Sequence, residues 1–202
     1  MSDETPARRR NAAATREAIF ASARRAFAQS GYDGAGVRDI AAGAGVTAML
    51  VNRYFGSKER LFAEVIVDAM SRPTLLTADT LRSKSFGHDM AAKLVAITEA
   101  GATPLEGFEI MLRSASSERA AQIGREQIDQ HYQALLSSSL KGEFAPQRAA
   151  LILALVAGMQ VMRQMIALPA LADADPEALT AILAPLLQQL IDGDAVTVEP
   201  KR

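Results

Sequence analysis

Arg53 can offer a paired donor edge to guanine, Asn52 can bond adenine through a donor and an acceptor, and Lys58 can neutralise a phosphate. All three lie between positions 52 and 58. Thr47, Ala48, Met49 and Tyr54 surround them and Arg38 lies upstream, so together these side chains could touch the bases and backbone of double-stranded DNA. Residues suited to other chemistry are sparse. Cysteine is absent, His88 and His131 have no carboxylate at metal-ligand spacing and no nucleophile motif beside them, and no GxSxG, HExxH or P-loop occurs. Gly43, Gly45 and Ala48 spell G-x-G-x-x-A, with Asp68 about 20 residues beyond, superficially a dinucleotide fingerprint. The preceding VRDIAA is charged and helix-spaced, and no second strand follows, so the context is wrong for it. No enzyme activity, metal or cofactor is expected.

Positioning these side chains falls to residues 37–59, VRDIAAGAGVTAMLVNRYFGSKE, which read as a helix, a glycine turn and a second helix. Gly36 can serve as N-cap, Val37, Ile40 and Ala41 recur at helical spacing, and Asp39 places a carboxylate at the positive helix end. Gly45 ends that helix with a residue free to take positive φ, Val46 plugs the turn, and Thr47 caps the next helix. Leu50, Val51 and Tyr54 then face inward or towards the rim. Thr47, Ala48, Met49, Asn52 and Arg53 are left outward. A helix precedes this motif over 15–30, with Ile19, Phe20, Ala23, Ala26 and Phe27 on one face, and another follows it, capped by Ser57, with Leu61, Phe62, Val65 and Ile66 inward.

The whole chain reads as all-α. Residues 1–11, with Arg8, Arg9 and Arg10 in a row, are expected as a disordered basic arm, 12–60 as the helix-turn-helix domain, 61–192 as a helical effector-binding and dimerisation domain, and 193–202 as a tail. Further helices fall near 74–83, 87–101, 104–115, 117–140, 146–168 and 176–191, with prolines near their ends and no strand alternation. Residues 1–60 carry ten Lys/Arg against six Asp/Glu, and the remainder twelve against seventeen, so the basic end coincides with the turn motif. The apolar run from Ala149 to Met159 falls short of the roughly 20 residues of a membrane span, and no signal peptide is apparent, so a cytoplasmic protein without a membrane partner is expected.

The last two helices are apolar on more than one face, which suits a shared interface in a homodimer with two-fold symmetry. Leu151, Leu155, Met159, Met162 and Ile166, with Leu179, Leu183, Leu186 and Leu190, are the expected interface residues, and Pro185 should kink the last helix. Phe86, Met90, Leu94, Phe108, Met111, Leu112, Ile128 and Tyr132 could line an apolar effector pocket with His131 as a polar fixture, and each alone could equally be core. A helical dimeric scaffold without an effector would explain the apolar C-terminal helices and leave the basic head unexplained.

Three N-terminal helices with this turn, on an all-helical body, resemble the TetR/AcrR family of bacterial one-component transcriptional regulators. Ile40, Ala41, Ala44, Gly45, Val46, Thr47, Phe55, Ser57, Lys58 and Glu59 carry the resemblance, with Leu61 and Phe62 behind them. It implies dimerisation through the last two helices, a palindromic operator, repression, and release of DNA when a small molecule enters the body. It also assigns base or phosphate contacts to Thr47, Ala48, Met49, Asn52, Arg53 and Tyr54, and a backbone contact to Lys58. Two departures matter. Ala35 and Gly36 stand where the family often has Thr or Ser, removing a hydroxyl that could bond phosphate, and Asn52 stands where many members have Tyr.

Overall fold

A computed structural model of the chain describes residues 6–70, 75–99 and 106–193. Every regular element among them is helical, as expected. The chain forms two compact units, one of residues 1–72 with 106–127, the other of 73–105 with 128–202.

The first unit begins with α1 (Pro6–Gly34), which turns sharply at Gly31. Residues 6–11, expected as part of a disordered arm, are helical, with Pro6 in the first turn, where its missing N–H removes no helix hydrogen bond; residues 1–5 lie outside the described residues. α2 (Val37–Gly43) and α3 (Ala48–Phe55) follow, then α4 (Lys58–Met70). In the second unit α5 (Ala78–Arg82) leads into α6 (Phe86–Ile97). The chain then returns to the first unit with α7 (Glu106–Arg113) and α8 (Glu118–Ile128). A wider π-turn at Asp129–Gln133 leads from α8 into α9 (Ala134–Ser139). α10 (Ala145–Gln160) continues through a second π-turn, Val161–Met165, and α11 (Pro169–Ala172) and α12 (Pro176–Asp192) complete the order.

The boundary expected after residue 60 is therefore displaced. Leu61, Phe62, Val65 and Ile66 of α4 are fully buried in one core with Ile19, Phe27, Ile40, Val51 and Phe55, and Ile110, Ala120 and Ile123 of α7 and α8 join it. The Phe62 ring meets Phe27 edge-on at 5.0 Å and Tyr32 at 4.9 Å. The physical reason is area: α1, α2 and α3 leave one apolar side uncovered, and α4, α7 and α8 close it.

α10 and its π-turn together form a helix of 21 residues, Ala145–Met165, whose most apolar stretch has mean hydropathy 1.3, enough by length and composition alone to cross a membrane. The uninterrupted apolar run itself ends at Gln160, and the π-turn beyond it carries Arg163 and Gln164. The two buried arginines of the helix mark it as part of the folded unit. Arg148 donates to the carbonyls of Glu143, Leu190 and Ile191 at 2.9 to 3.0 Å, and also to Lys141 O, satisfying the C-terminal end of α12. Arg163 donates to Leu171 O at 2.8 Å, Val95 O at 2.6 Å and Thr98 Oγ1 at 2.9 Å, closing the end of α6.

Candidate nucleic-acid interface

The turn that aims α3 is built from backbone hydrogen bonds. Val46 N–H donates to Ala41 O at 3.0 Å and Gly45 N–H to Ala42 O at 3.1 Å, the paired bonds of a Schellman motif, with Gly45 at φ 66°. Only a residue without a Cβ takes that conformation easily, so the helix end and the angle to α3 follow from one glycine. Thr47 enters α3 extended (φ −92°, ψ 154°), as an N-cap should, yet its hydroxyl makes no capping bond.

α3 separates its faces cleanly. Val51 and Phe55 are buried, Ala48, Leu50 and Tyr54 are half-buried, and Thr47, Met49, Asn52 and Arg53 are exposed. Met49, Asn52 and Arg53 stand at i, i+3 and i+4 and share one side of the helix. Arg38 is exposed on α2. Thus the sequence-predicted contact residues with outward side chains are Arg38, Thr47, Met49, Asn52 and Arg53, while Ala48, Tyr54 and Lys58 are partly covered.

Residues outside the expected set hold this face in place. Arg16 of α1 stacks its guanidinium over the Phe55 ring, 4.6 Å from its centre, and pairs with Glu64, joining α1, α3 and α4. Tyr32 lies beneath Lys58, whose Nζ is 4.5 Å from the ring centre, and its hydroxyl donates to Glu59 at 3.2 Å. Ser114 Oγ accepts the Tyr32 N–H at 2.9 Å, and Ser117 donates to Asp33 at 3.0 Å, so the end of α1 beyond the Gly31 bend is docked on the turn between α7 and α8. Gly31 permits that docking: a Cβ there would lie 2.6 Å from the Arg113 carbonyl oxygen. An aromatic residue directly after a helix-ending glycine was the available signal for Tyr32; the partners of Arg16 are too distant in sequence to be read.

Electrostatics follows from this packing. Burial, and after it the negative charge of Glu59, pushes the Tyr32 phenol up to about 12. Glu59 is held below the ordinary carboxylate range, first by the Ser57 hydroxyl and then by a backbone N–H and Tyr32.

The expected interface helices divide differently from the sequence reading. Met159, Leu179 and Leu183 are buried in the core of the second unit, and so are corrected from interface to core. Leu155 and Leu190 are partly buried against that core, whereas Leu151, Met162, Ile166 and Leu186 are exposed. Ile182, absent from the expected set, is exposed with them at 62%. Helices apolar on several sides give no periodic sign of which side meets the core.

The nine expected pocket residues are also divided. Phe108, Met111 and Leu112 belong to the first unit, where Phe108 and Met111 are half-buried and Leu112 is exposed. Phe86, Met90 and Leu94 are buried core of the second unit, Ile128 and Tyr132 are half-buried, and His131 is exposed. Burial raises the Tyr132 phenol above its usual value.

Residues 19–65 match the family described as bacterial regulatory proteins, tetR family, and residues 84–191 match the tetracyclin repressor-like C-terminal domain. No match is found among curated proteins. Among solved structures, the chain is similar to a transcriptional regulator from Rhodococcus sp. Rha1, at 27% identity over 91% of this chain and 99% of that one, with a TM-score of 0.57. It is also similar in fold to NalD, the secondary repressor of the MexAB-OprM multidrug efflux pump in Pseudomonas aeruginosa, at 21% identity, 90% and 97% coverage and a TM-score of 0.61. The multidrug binding protein EbrR, solved with ethidium, aligns at 20% identity, 88% and 98% coverage and a TM-score of 0.61.

Proposed function

Since the chain belongs to the tetR family of bacterial regulatory proteins, we propose that it is a repressor that binds a palindromic operator as a homodimer and releases it when a small, largely apolar effector binds. The observation that carries the DNA-binding half is the exposed face of α3: Thr47, Met49, Asn52 and Arg53 stand outward on a helix whose opposite face is locked into the core by Val51 and Phe55. Asn52 and Arg53 read base edges, and Arg38, Tyr54 and Lys58 grip the backbone. A regulator of this kind works in the cytoplasm, beside the chromosome.

The dimer is supported by the exposed apolar residues Leu151 of α10, Met162 of its π-turn and Ile166 directly after it, together with Ile182 and Leu186 of α12. In water such a surface needs a partner, and a second copy turned by two-fold symmetry supplies the same residues. Effector release and repression rest on analogy with fold neighbours, one titled a repressor and one a multidrug binding protein with ethidium. The second unit, with Tyr132 half-buried at the edge of its core, is where an effector would bind.

Gel-shift titration of the full chain against promoter fragments tests the reading. Nanomolar binding to a palindromic fragment, weakened by an apolar compound that stabilises the protein thermally, is expected. Equal binding to random DNA would defeat it.

A further inference from the structure

We propose that Met49 reads the 5-methyl group of a thymine in each operator half-site, within about one or two base pairs of the pair contacted by Asn52. This rests on the DNA-binding reading above and adds to it which base the apolar part of α3 selects. Met49 is 80% exposed, the most exposed large apolar side chain among the described residues. It stands in the first turn of α3, and that end of a recognition helix is the part that meets base edges. Of the ten other exposed large apolar residues, five fall in α10, its π-turn and α12, where a second copy accounts for them. Nothing of that kind accounts for Met49, whose helix neighbours at i+3 and i+4 are Asn52 and Arg53.

Chemistry then selects the target. In the major groove the 5-methyl of thymine is the apolar group among the base edges, and it is the partner an unbranched thioether side chain can cover without leaving a donor or acceptor unpaired. Three to four residues of helix advance about 4.5–6 Å, and successive base pairs are about 3.4 Å apart, which sets the spacing from the Asn52 contact. Asn52 suits adenine, so a half-site with neighbouring A·T pairs would satisfy both residues.

The test uses an operator selected from random-sequence DNA by the full-length protein, then resynthesised with single thymines replaced by deoxyuridine, which removes only the methyl group. The wild-type protein should lose roughly fourfold affinity at one thymine per half-site, and roughly 16-fold when both half-sites are changed. Met49→Ala, whose melting temperature should match the wild type because the side chain is exposed, should bind the thymine operator more weakly and show no further loss on the same replacement. Tolerance of deoxyuridine at every position by the wild type, or an undiminished penalty in Met49→Ala, would overturn the assignment while leaving DNA binding intact. Failure to enrich any sequence would overturn the DNA-binding reading as well.

Discussion

Lys58 Nζ stands 4.5 Å above the ring of Tyr32, and the Tyr32 hydroxyl donates to Glu59, the very next residue of α4. One side chain from the last turn of α1 thus holds both a cation expected on the DNA backbone and the carboxylate beside it. The same Tyr32 ring meets Phe62 edge-on at 4.9 Å, and its N–H is bonded by Ser114. The first turn of α4 and the turn between α7 and α8 are therefore tied through a single residue.

Because the Tyr32 phenol is pushed up to about 12 from an ordinary 10, its contribution to stability has a defined sign with pH. Below pH 10 both folded and unfolded chains hold the proton and the contribution is complete; between 10 and 12 the unfolded chain loses it first, so stability declines as pH rises. At neutral pH, Tyr32→Phe should cost about 0.5–1.5 kcal/mol through the lost hydrogen bond. Urea unfolding of both proteins should show the wild-type advantage shrinking above pH 10. An advantage constant up to pH 12 would refute this.

Two glycines with nearly the same φ should respond differently to alanine. Gly31 (φ 65°) would place a Cβ 2.6 Å from the Arg113 carbonyl oxygen, whereas a Cβ at Gly45 (φ 66°) meets nothing within 4 Å. Gly45→Ala should cost about 1–2 kcal/mol from backbone strain alone. Gly31→Ala adds displacement of α7 and should cost more, on the order of 3 kcal/mol. Denaturant midpoints give the ranking directly, and the reverse order would rule out close docking of Gly31.

Leu151→Glu and Ile182→Glu should separate the dimer into monomers by light scattering, since both side chains are more than half exposed. Leu183→Ala, on the buried side of the same α12, should lower stability by about 2–5 kcal/mol and leave the dimer mass unchanged. Two intact dimers from the glutamate variants would place the interface elsewhere.

Arg53 and Lys58 should fail differently on DNA. Arg53→Ala should lose about 1–3 kcal/mol on the operator and relax preference at one position. Lys58→Ala should weaken binding to all sequences and lower the salt slope by about 1 per phosphate contact. A panel of operator variants measured at several salt concentrations distinguishes them, and the same response from both would remove base reading from Arg53.

Local physics made much of this legible in the residues themselves. A Schellman turn needs a residue free to take positive φ at the position after the helix cap, and Gly45 stands there, so the bend before α3 could be read directly, whereas Thr47 starts α3 by its extended backbone and not by the hydroxyl bond its type suggests. Elsewhere the pattern was silent. Leu179 and Leu183 are buried while Ile182 and Leu186, on the same helix, are exposed, and no periodicity distinguishes two apolar faces of one helix. Packing against α6 settles which side is core. Likewise α7 and α8 join the DNA-binding unit through Ile110, Ala120 and Ile123, and Arg16 meets Glu64 across 48 positions, because the free energy of covering apolar surface depends on what lies nearby in space, which sequence neighbours do not encode.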